Sequence, residues 1–124
     1  MRYLMLIYID EALNDAMSES EQAANLEKWM SYTSDFQQSG KMLGGEALMP
    51  KATATSVRPK AGGGTLTTDG PFIETKETLG GYYIIDTASL DEAVTWAGKM
   101  PIFETGGGVE IRPIMEFDWT APAK

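Results

Sequence analysis

The stretch Arg2-Tyr3-Leu4-Met5-Leu6-Ile7-Tyr8-Ile9 decides the fold. It is apolar at odd and even positions alike. Because alternate side chains of a strand point to opposite faces, both faces of this strand need cover, which makes it a central strand of a sheet. Gly80-Gly81-Tyr82-Tyr83-Ile84-Ile85-Asp86 has the same character and reads as a second strongly apolar strand.

Working outward, Ser18-Glu19-Ser20-Glu21 fits a capping box, in which the Ser18 hydroxyl takes the backbone N–H three residues on and Glu21 reaches back. Leu26, Trp29, Met30, Thr33 and Phe36 follow at three-to-four spacing opposite Glu27, Lys28, Ser31 and Gln38, and Gly40 is a natural stop. An amphipathic helix of roughly five turns is expected. Lys41–Leu48 reads as a short strand; Thr53–Arg58, ended by Pro59, and Thr65–Thr68 read as the arms of a hairpin turned by Gly62-Gly63-Gly64. Ser89-Leu90-Asp91-Glu92 is a second capping box, and Leu90, Ala93, Val94, Ala97 and Met100 supply a buried stripe before Pro101 closes a shorter helix. After Gly106-Gly107-Gly108, the residues Val109, Ile111, Met115 and Phe117 alternate with Glu110, Arg112 and Glu116 in a final strand, whose Pro113 marks an edge.

This order predicts a single α+β domain over residues 1–124: a ferredoxin-like split βαβ arrangement with an antiparallel sheet, an inserted hairpin, and two helices on one face. Two helices roof one side of a sheet only, yet the first strand offers Leu4, Leu6 and Tyr8 to one face and Tyr3, Met5 and Ile7 to the other. Leaving six or more large side chains bare forgoes on the order of 10 kcal/mol of burial. A homodimer packing sheet against sheet about a twofold axis removes that loss. The alternative is that the hairpin folds over the bare face within one chain.

Composition narrows the chemistry. With no cysteine and no histidine, the chain lacks a thiolate nucleophile, a Ser-His-Asp triad, His-based zinc sites and the usual general base near neutral pH. Any catalysis falls to carboxylates, lysine, tyrosine or hydroxyls. A formal charge of -8, from 18 acidic against 10 basic residues, has the wrong sign for nucleic acid or anionic membranes. The apolar runs are too short to span a bilayer, and no leader peptide is legible, so a cytoplasmic protein is expected. Neither glycine triplet links a strand to a helix with the lysine and hydroxyl of a phosphate loop. No acidic loop has calcium-binding spacing, and neither metal nor cofactor is expected.

The densest run of unusual residues is Asp69-Gly70-Pro71-Phe72-Ile73-Glu74-Thr75-Lys76-Glu77-Thr78-Leu79-Gly80-Gly81. The pattern D-G-P-F-x-E-T-K-E-x-L-G-G-Y closely resembles the signature of the YCII-related, or DGPF-domain, family. The likeness extends to the opening M-R-Y-L-M-L-I-Y and the closing V-E-I-R-P. The resemblance implies a ferredoxin-like protomer in a dimeric α/β barrel. In that family, genes often lie beside extracytoplasmic-function sigma factors. The wider family is thought to include a His/Asp acid-base enzyme acting on hydroxylated aromatic compounds. This chain departs from that mechanism: where many relatives carry a histidine before the last strand, it reads Glu104-Thr105-Gly106-Gly107-Gly108.

Two readings of Asp69 stand side by side. Its carboxylate can fix the Gly70-Pro71 turn by accepting backbone N–H groups. Alternatively it faces a dimer cleft, with its pKa raised by apolar neighbours such as Phe72, and moves a proton. Phe72, Glu74, Lys76, Glu77 and Arg112 are the candidate ligand-binding residues; the charged ones also fit an ordinary ion-paired surface. The expected function is binding of a small polar or aromatic metabolite in a cleft lined by this loop, with histidine-free acid-base chemistry at Asp69 as its catalytic form. The alternative is a non-catalytic interaction module that engages a protein regulator, such as a sigma factor, through its acidic surface.

Overall fold

A computed structural model of the chain describes residues 1–120. Strand β1 (Arg2–Ile9) is followed by a short helix α1 (Glu11–Asp15), the long helix α2 (Glu19–Gln38) and strand β2 (Met42–Ala47). A 3-10 turn (Lys51–Thr53) leads into the hairpin strands β3 (Thr55–Pro59) and β4 (Thr65–Asp69). Then come β5 (Thr78–Asp86), helix α3 (Leu90–Gly98), a second 3-10 turn (Pro101–Thr105) and β6 (Gly108–Pro113). The strands β2-β5-β1-β6 form one four-stranded sheet in that order, and β3-β4 form a separate two-stranded sheet. Every described pairing is antiparallel. This is the ferredoxin-like α+β arrangement with an inserted hairpin.

The two strands apolar on both faces hold the two central places, and Pro113 ends β6 at the sheet edge, where a missing ladder donor is tolerated. Met5 pairs with Tyr83 and Leu6 with Tyr82; the register shifts by one residue between Ile7 and Tyr8, leaving Gly80 as the extra residue of β5. On the helix side, Tyr3, Met5, Ile7, Tyr83 and Ile85 are buried together with Tyr32, Phe36, Ala93, Ala97, Met100 and Ile102. Phe36, Met5, Ile85 and Ile102 are the largest wholly enclosed side chains, each contributing about 1.5–3 kcal/mol. On the other face Leu4, Leu6, Tyr8, Tyr82 and Ile84 are only half-buried.

Local chemistry fixes the helix ends. Ser18 and Glu21 form the reciprocal capping box ahead of α2. At α3 only half of the expected box forms: the Ser89 hydroxyl accepts from the Glu92 amide, but the Glu92 carboxylate pairs with Lys41 instead. The two helices are tied by the Tyr32 hydroxyl, which donates to the Trp96 carbonyl at 3.0 Å. Burial, aided by the neighbouring Tyr83, pushes the Tyr32 phenol well above its ordinary pKa.

The buried stripes differ from expectation. On α2 the side facing the sheet is Trp29, Tyr32 and Phe36, while Leu26 and Met30 are 60% and 63% exposed. On α3, Ala93 and Ala97 are buried and Leu90 and Val94 face outward. The aromatic ladder of Tyr32, Phe36 and Trp96 fills the interhelical space, so rings rather than the neighbouring aliphatics supply the buried contact between the helices. The final strand stops at Pro113. The chain still pairs once more through the Ile114 amide to the Arg2 carbonyl, but Met115, Phe117 and Trp119 are exposed.

Candidate functional site

Two features meet at the end of the sheet where β1 stops and β5 begins. The first is a groove of about 840 Å³ between α2 and the β2-β5 edge. Its floor includes Trp29 and Tyr83, whose rings stack 19° from parallel with centroids 6.5 Å apart. Leu26 and Met30, the exposed aliphatics of α2, form part of its rim, together with Met17. Gly45 lets the Tyr83 ring lie there: a Cβ on Gly45 would stand 2.6 Å from Tyr83 Cδ1 and 2.8 Å from the Tyr82 carbonyl oxygen. The Tyr83 hydroxyl lies 2.6 Å from Thr33 Oγ1. Burial raises its pKa, and the Thr33 hydrogen bond works against that shift.

The second feature is a charged cluster between α1, the Lys51–Thr53 turn and the loop of residues 70–77. Asp10, 6% exposed, caps α1. Its Oδ1 accepts from the Ala12 and Leu13 amides at 3.1 and 3.3 Å, and its Oδ2 faces Lys76 Nζ at 3.9 Å. The Glu11 carboxylate accepts the Lys51 amide, and Lys51 Nζ lies 3.6 Å from Glu74. Thr78, the first residue of β5, has a buried hydroxyl with no hydrogen-bond partner among the described residues. An unpaired buried hydroxyl costs about 1–3 kcal/mol.

The residues singled out from sequence fall in several places. Asp69 ends β4 and is exposed, and its carboxylate takes no hydrogen bond among the described residues. The turn after it is held otherwise: Gly70, at φ +95°, donates its amide to the Ala54 carbonyl, and its own carbonyl accepts from the Ser56 hydroxyl. Turn-fixing by the Asp69 side chain is therefore not observed. Phe72 is exposed beneath the Arg58 guanidinium, which sits 4.3 Å from its ring centroid. Glu74 and Lys76 join the charged cluster, although the Lys76 side chain is 84% exposed. Glu77 is exposed, its carbonyl accepting from the Thr75 hydroxyl. Arg112 lies on edge strand β6, opposite Leu4, far in the topology from the loop. None of these six lines the α2 groove. Among the described residues, no three acidic side chains gather in metal-holding geometry.

Sequence reasoning left Asp10 unmentioned and gave Thr33, Thr78 and Tyr83 no site role, reading them as parts of the helix stripe, the motif run and the apolar strand. The signal for Asp10 was present: an Asp directly after a strand, with an acidic neighbour in Glu11, marks a helix start. Five residues of helix are too few to show a period.

The YCII-related domain family matches residues 1–118. This chain belongs to that family. A YCII relative, an uncharacterised protein of Rhizobium meliloti (strain 1021), is 36% identical over 115 residues, covering 92% of each chain. Among solved structures, the YCII chain resembles 5-chloro-2-hydroxyhydroquinone dehydrochlorinase (TftG) from Burkholderia phenoliruptrix AC1100 in complex with 2,5-dihydroxybenzoquinone. The match has a TM-score of 0.56 at 13% identity and covers 94% of this chain and 96% of that one. At that identity the likeness concerns the fold. No helix among the described residues is long and apolar enough to cross a membrane.

Proposed function

We propose that this YCII protein acts as a homodimer binding a small polar or aromatic metabolite where β1 ends and β5 begins. The ring lies in the groove under α2, and the Asp10–Lys76 cluster borders its end. The groove carries this reading: a concave volume of about 840 Å³ with an aromatic floor is within the usual range of metabolite sites. The Thr78 hydroxyl, without a hydrogen-bond partner among the described residues, supports it, as does the small ring bound by the structurally similar TftG. The half-buried face of Leu4, Leu6, Tyr8, Tyr82 and Ile84 supports the dimer, because a second copy is the apolar surface that would complete their burial.

With no histidine in the chain, proton transfer at this site is open to carboxylates, lysine and tyrosine, and the carboxylate reading has two candidates. Asp69 is exposed and takes no hydrogen bond among the described residues; Asp10 is buried beside Lys76. Asp10→Asn keeps a competent helix cap, so it and Asp69→Asn separate the two candidates.

The test is a thermal-shift screen of small aromatic and polar metabolites. At a hundredfold excess over Kd a true ligand adds about 2.7 kcal/mol, which appears as several degrees in Tm. The shift should vanish in Asn25→Trp, where a bulky ring is placed on the lining of the groove. A screen without a stabiliser at millimolar concentration, or a stabiliser indifferent to Asn25→Trp, defeats the proposal.

A further inference from the structure

The lining of the α2 groove contains no lysine and no arginine. Its two formal charges are both negative, Asp15 at the end of α1 and Glu46 on β2, and its other polar groups include the amides of Asn14, Gln22 and Asn25. An anion entering it would give up hydration and find no counter-charge on that lining, and the bordering Lys76 already faces the Asp10 carboxylate, within a chain whose formal charge is -8. An uncharged ring gives up far less hydration and meets the aromatic surface of Trp29 and Tyr83 within a mostly apolar lining.

Thr33 and Tyr83 add a fixed donor. Their two hydroxyls carry two protons, and the 2.6 Å bond between them uses one. Whichever oxygen donates, the other proton has no protein acceptor among the described residues. Burial raises the pKa of the Tyr83 phenol, which therefore keeps its proton through the neutral range, as an aliphatic hydroxyl such as that of Thr33 does.

We infer that the groove selects an uncharged aromatic molecule bearing an oxygen acceptor, held by the Thr33–Tyr83 hydroxyl pair, and rejects the corresponding carboxylate or phosphate. This rests on the reading of the groove as the ligand site and names its specificity.

The test is calorimetric titration of the full chain at neutral pH with naphthalene-2-carboxamide, its anionic isostere naphthalene-2-carboxylate, and unsubstituted naphthalene. The amide is expected to bind at least roughly tenfold more tightly than the carboxylate, and Asp15→Asn with Glu46→Gln should narrow that gap. The double variant Thr33→Val, Tyr83→Phe removes both hydroxyls at once. It leaves no orphaned partner, so the fold should persist. It is expected to weaken the amide by roughly tenfold and to leave naphthalene unchanged. A carboxylate that binds as tightly as the amide overturns the inference and leaves the ligand site standing. An amide indifferent to the double variant overturns the role of the hydroxyl pair. If none of the three compounds binds at millimolar concentration, the inference and the site fall together.

Discussion

The two faces of the central strands are built from neighbouring residues of the same sequence, yet they end in different states. Tyr3, Met5 and Ile85 are sealed, and Ile7 and Tyr83 buried at the floor of the groove, beneath α2, α3 and the Pro101–Thr105 turn, whereas Leu4, Leu6, Tyr8, Tyr82 and Ile84 stop half-buried. Alternation along a strand delivers apolar groups to both sides without regard to what will cover them. The cover comes from elsewhere in the chain on one side and, in our proposal, from a second copy on the other.

The largest expected effect is on the sealed face. Phe36 is wholly enclosed, with ring centroids of Trp96, Tyr83 and Tyr32 at 4.9, 5.5 and 5.8 Å. Phe36→Ala should cost about 3–5 kcal/mol, read as a lower midpoint in urea denaturation. A loss under about 1 kcal/mol would mean that the face is not packed as described.

On the open face, Leu6→Asp should weaken self-association by about a hundredfold or more, equivalent to roughly 2.7 kcal/mol, while the single chain stays folded by circular dichroism. Sedimentation velocity at micromolar concentration decides it. Wild-type protein already sedimenting as one chain would remove the proposed symmetry between the faces.

Thr33→Val alone strands the Tyr83 hydroxyl at the edge of the sealed face and should cost about 1 kcal/mol. The double variant with Tyr83→Phe should recover most of that loss in a thermodynamic cycle, since it removes both partners together.

The smallest effect belongs to Arg2, on the same side of β1 as Leu4 and Leu6, which grips Glu116 through two bonds of 2.8 Å. The hydrogen bond from Arg2 holds the Glu116 carboxyl below its usual range. The unfolded chain therefore binds a proton more readily than the folded one, and stability rises with pH between the two pKa values. The contribution is complete above the ordinary glutamate pKa and is lost as pH falls through the depressed one. Glu116→Gln should flatten that part of the acid unfolding curve slightly; an unchanged profile would show the pair to be idle.

The fold was legible because it rests on local signals. Apolar runs at Arg2–Ile9 and Tyr82–Ile85 marked the central strands, and Ser18 and Ser89 marked the helix starts. The helix faces were less so. Spacing alone cannot tell that Tyr32 packs inward while Leu26 and Met30 lie along a groove, since a tyrosine is buried only when its hydroxyl finds a partner, here the Trp96 carbonyl. The site was least legible. The loop from Asp69 to Glu77 stood out by composition, but the groove draws on α1, α2, β2 and β5, whose side chains converge only after folding. Arg112 lies on edge strand β6, two strands from β5, into which that loop leads.

The near-parallel rings of Trp29 and Tyr83, continued through Tyr32, Phe36 and Trp96, have an optical consequence. Aromatic chromophores fixed in an asymmetric array give a near-ultraviolet circular dichroism spectrum that disappears when packing loosens. The protein thus carries a built-in, label-free gauge of whether α2 is seated on the sheet.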